Sequence, residues 1–271
     1  MIVAGVDIGS LSAKALIMKE DEVIAWTSML TGPDSSETAW KVMNEILDSV
    51  KGGLILRDID YIVATGYGRV AVPFSNSMVT EISCHARGCH WLFPQVRTIL
   101  DMGGQDCKAI RCDAQGKVIN FAMNDKCAAG TGRYLERVAV TLGVSLNEIG
   151  ARSLKIVEKP AAISSYCTVF AQRDIMHLVR QGKHPNDIMA GACDAISSRI
   201  ESLLQRVGVV EAFAISGGVA KNIGVVKRLE ERLGVRAHIA FEPQVVGALG
   251  ASLFARDLAA SARARSENRG F

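Results

Sequence analysis

Two segments of the chain place an aspartate, a glycine and a lysine at the same spacing, a pattern suited to a phosphate and its metal ion. Residues 6–16 and residues 100–110 both read apolar-Asp-apolar-Gly, then four residues, then Lys-Ala-apolar. An aspartate that ends a buried strand can hold Mg²⁺ directly or through water. The glycine lets backbone N–H groups approach phosphate oxygens without a Cβ in the way. Each segment therefore predicts a phosphate-binding turn.

The candidate residues of these turns divide into three roles. The catalytic candidates are Asp7 and Asp101, for Mg²⁺ and phosphate, and Gln105, to orient the attacking water as a glutamine does in GTPases. An amide that only stabilises the turn is the alternative for Gln105. The candidates for cofactor binding are Gly9, Ser10, Ser12, Lys14, Gly103 and Gly104. Lys14 and Lys108 are positioned to reach phosphates, although a lysine on a strand after a turn is often solvated.

A third glycine element follows an apolar strand and leads into an amphipathic helix. It contains Ser216, Gly217 and Gly218. A Gly-Gly pair at a strand-to-helix junction permits adenine or ribose to lie against the backbone, and it equally permits close packing. Gly217, Gly218 and Lys221 are therefore candidates for binding the adenosine part of ATP.

The elements around the two turns indicate an internal duplication. Asp101 lies 94 positions after Asp7, and each turn is followed by two further strand-like segments separated by a polar turn. Coincidence between short glycine turns is the alternative, but the match extends through the following hairpin. The predicted organisation is an N-terminal lobe of residues 1–95, onto which a C-terminal helix at about 245–260 packs, and a C-terminal lobe of residues 96–244. The end of the chain after Arg256 is expected to fray.

Two cysteines precede helical patterns in the C-terminal lobe. Cys127 comes before a pattern ending near Gly143, and Cys167 before one ending near Gly182. A helix N-terminus favours thiolate over thiol. Two thiolates cannot close a four-cysteine site, but two chains related by a twofold axis can supply four to one [4Fe–4S] cluster. The alternative is that both are buried small hydrophobes.

The pattern Cys84-His85 followed by Cys89-His90 suggests zinc, but its spacing does not match a compact zinc site. No Cys-x-x-Cys pair occurs among the seven cysteines, which argues against a self-contained cluster or zinc ribbon. We expect these residues to pack a helix.

The overall composition fits a folded cytoplasmic protein. The chain has 271 residues, 49% of them hydrophobic and 22% charged, and a net charge of +3. These values exclude disordered and fibrous classes, and the charge gives no reason to expect a nucleic-acid or membrane partner. We expect neither a secretory leader nor an apolar run near the roughly 18–20 residues that span a bilayer.

The order of these motifs resembles the superfamily of two-lobed ATP-binding proteins that contains actin, the heat-shock chaperone ATPases and the sugar kinases. No P-loop signature occurs. The resemblance implies a two-lobed α/β fold of the actin-like or sugar-kinase-like type. In this fold an RNase H-like unit is duplicated, and each lobe is built on one copy.

Residues 124–133 and 164–171 are similar to the cluster-binding segments of the 2-hydroxyacyl-CoA dehydratase activators, or archerases. The same family contains the ATP-hydrolysing subunits of benzoyl-CoA reductases. Residues 64–69, 81–88 and 102–106 also resemble segments of this family, and the likeness runs from about Gly5 to Arg256.

This resemblance implies an oxygen-sensitive homodimer with ATP, Mg²⁺ and one [4Fe–4S] cluster per dimer, held by Cys127 and Cys167 of each chain. A reduced ferredoxin or flavodoxin would donate one electron. ATP binding and hydrolysis would then drive its transfer, at lower potential, to an iron–sulfur dehydratase or reductase. Two alternatives remain: an ATPase subunit of a benzoyl-CoA-type reductase, in a homodimer or a heterodimer, and a cluster-free ATP-binding kinase or regulator.

Overall fold

The computed structural model describes residues 1–124 and 131–267, which form two compact units. The first consists of residues 1–94 and 115–117 together with the chain from residue 244 onward. The second consists of residues 95–114 and 118–243. Each unit has its own five-stranded sheet and its own buried core.

The first unit is built on a sheet of strand order β3-β2-β1-β4-β5. Its strands are β1 (Ile2–Ile8), β2 (Ser12–Lys19), β3 (Glu22–Leu30), β4 (Tyr61–Thr65) and β5 (Ser77–Met78). Its helices are α1 (Ser35–Ser49), α2 (Glu81–Leu92) and α8 (Val246–Glu267). The β1–β2–β3 meander is antiparallel, whereas β4 joins β1 in parallel.

The second unit is built on a sheet of strand order β10-β9-β6-β7-β8. Its strands are β6 (Thr98–Met102), β7 (Cys107–Cys112), β8 (Val118–Asn124), β9 (Phe213–Ser216) and β10 (Ala237–Ile239). Its helices are α3 (Gly132–Leu142), α4 (Leu146–Ser153), α5 (Thr168–Arg180), α6 (Pro185–Gln205) and α7 (Ile223–Leu233).

The two sheets confirm the predicted α/β duplication. β6, β7 and β8 form an antiparallel meander like β1, β2 and β3, and β9 joins β6 in parallel as β4 joins β1. The second copy carries four helices between its third and fourth strands, where the first copy carries one. The matching strand order identifies the duplicated fold of the actin and sugar-kinase superfamily.

Glycines lie at or near the ends of three helices that periodicity predicted, and the ends near Gly143 and Gly182 were themselves predicted. α3 is followed by Gly143 at φ +63°, and α7 by Gly234 at φ +66°. Gly182, two residues after α5, has φ +73°. This left-handed conformation is most easily adopted by glycine, which explains why these helices stop there.

The C-terminal helix α8 packs within the first unit through small residues. A Cβ on Gly5 would lie 2.0 Å from Ala248 O, and a Cβ on Gly250 would lie 1.8 Å from Cys84 O. Only glycine permits this backbone approach. The expectation that the chain frays after Arg256 is wrong, because α8 continues to Glu267. Arg263 pairs with Asp60 at 2.6 Å and holds this part of the helix.

One helix of the described chain, within Pro243–Arg265, is long and apolar enough by composition to cross a membrane. The expectation that no segment approaches this length overlooked it, because glycine and serine interrupt its apolar residues. In the fold, 61% of its most apolar window is buried. The core helix of a globular unit passes the same test, so this is weak evidence for a membrane span.

Candidate functional site

The first predicted phosphate turn lies at the end of β1. Asp7 is the penultimate residue of that strand, and Lys14 lies opposite it on β2. Lys14 Nζ contacts Asp7 Oδ2 at 3.2 Å, and both side chains are largely shielded from solvent. The Gly9 N–H donates to Ser12 O at 3.0 Å and closes the turn. This turn therefore presents an ion pair without net charge.

The second turn has the same backbone path and a different charge. Gly103 N–H donates to Asp106 O at 3.0 Å, as Gly9 does to Ser12. Lys108 Nζ lies 2.8 Å from Asp106 Oδ1 and 3.4 Å from Asp101 Oδ2. The Lys108 side chain is only 2% exposed, so the alternative of a solvated lysine is wrong at this position. Two carboxylates beside one ammonium leave a negative charge, which suits a divalent cation.

A glycine on a neighbouring parallel strand positions each aspartate. β4 pairs Thr65 with Asp7, and β9 pairs Ser216 with Asp101. The next residues, Gly66 and Gly217, have φ +86° and +83°. A Cβ at either glycine would lie within 2.7 Å of an Oδ1 of the paired aspartate. Each carboxylate therefore depends on a glycine beside it.

Sequence reasoning found this element only in the second copy, where it assigned Gly217 to adenosine. The signal in the first copy is the matching end of an apolar strand, Ala64-Thr65-Gly66, which corresponds to Ile215-Ser216-Gly217.

The remaining adenosine candidates lie on one short turn of 3-10 helix. It spans Gly218–Lys221, directly after Gly217, whose N–H donates to Pro243 O at 2.9 Å. Lys221 Nζ pairs with Glu242 Oε1 at 2.8 Å, and half of the Lys221 side chain is exposed. The structure thus brings Gly217, Gly218 and Lys221 together at the end of β9.

His85 lies near the first turn, a position that sequence reasoning missed. A Cβ on Gly247 would lie 2.9 Å from His85 Nε2 and 3.0 Å from Asp7 Oδ2, so both side chains converge on α8. On the same helix as His85, burial raises the pKa of Cys84 to about 12. Cys84, His85 and Cys89 are buried on α2, which supports the expectation that these residues pack a helix.

Two candidates are open to solvent. Ser10 and Gln105 are the exposed residues of their turns. Within the described residues the Gln105 side chain makes no hydrogen bond, which disfavours the alternative of a turn-stabilising amide. Its amide is available to a ligand or a water molecule.

The second turn is hydrogen-bonded to the start of α3. The N–H of Gly132 donates to Gly103 O at 3.0 Å, and the N–H of Arg133 donates to Gly104 O at 2.9 Å. These are the first two amides of α3, which a helix leaves without an internal partner. Here they join α3 to the phosphate turn.

Of the two candidate cluster ligands, the structure describes only Cys167. Cys127 lies outside the described residues. Cys167 is the N-cap residue of α5, has an extended backbone and makes no capping hydrogen bond through its side chain. It is partly exposed, whereas the other five described cysteines are buried. The alternative of a fully buried small hydrophobe therefore does not fit Cys167.

Cys167 also lines a small open cavity. Ser164, Ser165 and the aromatic ring of Tyr134 contribute to the same cavity. The Tyr134 hydroxyl is buried and has no hydrogen-bond partner among the described residues. An accessible thiol at this position is free to ligate a metal or a cluster.

A model of the BadF/BadG/BcrA/BcrD ATPase family matches residues 4–255 of the chain. The 2-hydroxyisocaproyl-CoA dehydratase activator of Clostridioides difficile is 37% identical, over 99% of this chain and 100% of its own length. The activator of lactoyl-CoA dehydratase of Anaerotignum propionicum is 40% identical, over 96% and 99%. A benzoyl-CoA reductase subunit from Thauera aromatica is 31% identical, over 93% and 92%.

Solved structures agree with the fold. The activator of the 2-hydroxyisocaproyl-CoA dehydratase from Clostridium difficile with bound ADPNP superposes with a TM-score of 0.92 at 36% identity, covering 98% of each chain. A ROK-family glucokinase from Streptomyces griseus has a TM-score of 0.59 at 13% identity, covering 95% of this chain and 100% of its own. The second likeness concerns the fold alone.

Proposed function

The chain belongs to the BadF/BadG/BcrA/BcrD ATPase family, and on that premise we propose that it is an ATP-dependent electron-transfer activator of a 2-hydroxyacyl-CoA dehydratase. Relatives named as activators of such dehydratases align with nearly the whole chain. The observation that carries the proposal is the pair of backbone hydrogen bonds from α3 to the second phosphate turn. An activator needs such a link, because its nucleotide must act on its electron carrier.

In this proposal the two phosphate turns bind MgATP. Asp7 and Asp101 would hold Mg²⁺ directly or through water, and the N–H groups that the turns do not use internally would face phosphate oxygens. Gln105 orients the attacking water, and its exposed amide is free for that role. Gly217, Gly218 and Lys221 receive the adenosine. A similar activator carries bound ADPNP, which supports nucleotide binding by this chain.

The proposed electron carrier is a [4Fe–4S] cluster held by Cys127 and Cys167 of two chains in a homodimer. Such a cluster, when bound, supplies a one-electron carrier whose potential depends on its surroundings. Cys167 fits this role because it is accessible and stands at the N-terminus of a 13-residue helix, whose dipole favours an anion. The unpartnered Tyr134 hydroxyl nearby fits a sulfur acceptor.

Coupling would run through backbone groups of the second turn. The Gly103 N–H closes the turn by donating to Asp106 O, so the Gly104 N–H would be the one to face the phosphates, while the carbonyls of both glycines accept from Gly132 and Arg133. A shift of this turn on ATP binding would carry the start of α3 with it, together with the segment that contains Cys127. In this way the chain would pass an electron from ferredoxin or flavodoxin to an iron–sulfur partner.

A role as one subunit of a benzoyl-CoA-type reductase is the second candidate, because a relative named as part of such an enzyme is 31% identical. The two candidates differ in assembly. An activator is isolated as a free homodimer in the cytoplasm, whereas a reductase subunit copurifies with catalytic subunits.

The test is electron delivery from reduced, iron-loaded protein to a purified 2-hydroxyacyl-CoA dehydratase under anaerobic conditions. We expect delivery with MgATP and none with ADP. Asp101→Asn should keep its iron while its ATP turnover falls by roughly a hundredfold, a loss typical of a removed electrostatic contact. Asp48→Asn, an exposed change on α1, is the control and should behave as the unaltered chain does. Delivery that is independent of ATP would refute the proposal.

A further inference from the structure

The Tyr134 hydroxyl is a buried polar group without a hydrogen-bond partner among the described residues. Tyr134 is the third residue of α3, and its ring packs in the core of the second unit with Leu135 and Val138. Its side-chain oxygen has no hydrogen-bond partner among the described residues. Buried hydroxyls almost always have such a partner, because leaving one unpaired costs free energy. The hydroxyl therefore indicates an acceptor that belongs to a bound group or to water.

The surroundings of this hydroxyl point to sulfur. Tyr134 shares its cavity with Cys167, Ser164 and Ser165. Ala171 and Ile196 form apolar parts of the same wall. Tyr134 and Cys167, which carries the one partly exposed thiol of the described residues, therefore line the same cavity.

The phenol is a proton donor at neutral pH. Burial is the main cause that raises the pKa of Tyr134 above its usual value, and nearby Cys193 and Asp174 add to the shift. Asp174 is already engaged, since its Oδ2 accepts from the N–H of Ser164 at 3.1 Å. A neutral O–H beside a thiolate can donate to it, and hydrogen bonds to charged acceptors are stronger than neutral ones.

We propose that the Tyr134 hydroxyl donates a hydrogen bond to sulfur on the Cys167 side of the bound cluster and thereby raises its reduction potential. This inference rests on the proposed function, because it needs a cluster at Cys167. A donor to sulfur stabilises the reduced, more negative state more than the oxidised one. Tyr134 would thus make the cluster easier to reduce by the donor protein. Its position on α3 would couple that effect to the helix joined to the phosphate turn.

The test compares Tyr134→Phe with Tyr61→Phe in anaerobic, iron-loaded protein. Both changes remove one phenolic oxygen, but Tyr61 lies on β4 in the first unit. Redox titration should show that Tyr134→Phe lowers the equilibrium constant for cluster reduction about tenfold, which is about 59 mV for one electron. The Fe–S(Cys) stretching bands in resonance Raman spectra should shift as well. Tyr61→Phe should change neither quantity.

Apoprotein stability separates this role from a structural one. Because the hydroxyl is unpaired in the fold, Tyr134→Phe should leave the thermal midpoint of the apoprotein unchanged or raise it. An unchanged potential and unchanged Raman bands in a fully iron-loaded Tyr134→Phe protein would overturn the inference and indicate that water accepts the bond. If the unaltered chain binds no iron at all, the proposed function fails first, and the two failures are distinguishable.

Discussion

Asp106 occupies the position in the second phosphate turn that Ser12 occupies in the first, and this exchange changes the charge of the site. Lys14 has one carboxylate partner, whereas Lys108 is held by both Asp101 and Asp106. The first turn is therefore neutral and the second carries a net negative charge. We infer that Mg²⁺ is held mainly at the second turn, and that the first contributes mainly to phosphate binding.

Asp106→Asn tests this division. The amide can still accept a hydrogen bond from Lys108, but the site loses its negative charge, so its affinity for Mg²⁺ should fall about tenfold. The measurement is ATP turnover as a function of Mg²⁺ concentration at fixed ATP. Asp48→Asn serves as the control of equal charge change. An Asp106→Asn protein with the same Mg²⁺ requirement as the control would show that the metal does not depend on the second turn.

At the scale of elements, the parallel strands beside the two phosphate turns help to position the Asp7 and Asp101 carboxylates. Gly66 directly follows β4 beside Asp7, and Gly217 directly follows β9 beside Asp101. Each glycine combines a positive φ with a contact that no Cβ can enter. The backbone at the end of each parallel strand thus fixes the position of the neighbouring aspartate carboxylate.

Gly66→Ala should weaken MgATP binding about tenfold by displacing Asp7, as expected when a binding group is misplaced. Gly52→Ala is a matched control, because Gly52 has φ +94° and nothing within 4 Å of an added Cβ. Backbone strain of about 1–2 kcal/mol applies to both variants, and the clash adds to it only at Gly66. Nucleotide titration and chemical unfolding measure the two effects. Equal affinities for MgATP in the two variants would show that Gly66 does not position Asp7.

The contact between α3 and the second turn predicts that nucleotide binding changes α3. Gly132→Pro removes the N–H that donates to Gly103 O, and proline is compatible with the first turn of a helix. Hydrogen exchange of residues 132–142, with and without ADPNP, should respond to nucleotide in the unaltered chain. That response should be lost or strongly reduced in Gly132→Pro.

Gly132→Ala is the control, because it keeps the N–H and adds a Cβ 3.3 Å from Gly104 Cα, a tight contact. It should retain most of the response. If the proline variant binds ADPNP and still shows the full change in α3, the hydrogen bond does not carry the coupling.

At the scale of the molecule, the duplication was predictable because Asp-x-Gly and Lys recur at one spacing. Periodicity and terminal glycines also predicted α3, α5 and α7. The equivalence of Gly66 and Gly217 was harder to detect, because four helices in the second copy replace one in the first and leave only a three-residue match without a constant offset.

Two further features depended on distant parts of the chain. Lys108 is buried by the rest of its unit, and local spacing predicts only that Asp106, two residues before it, can reach it. Arg256 and Arg263 of α8 form ion pairs with Asp21 and Asp60, which lie more than 200 residues away. Local composition near Arg256 carries no sign of them.

The most direct test of the proposed electron carrier is iron and acid-labile sulfide per dimer after anaerobic reconstitution. We expect four of each per two chains for the unaltered protein and for Cys193→Ser, a change at a buried cysteine whose pKa burial raises to about 11. Both elements should be lost in Cys127→Ser and Cys167→Ser. A colourless monomer, or a Cys167→Ser protein that keeps its full iron, would contradict the assignment of the cluster to these cysteines.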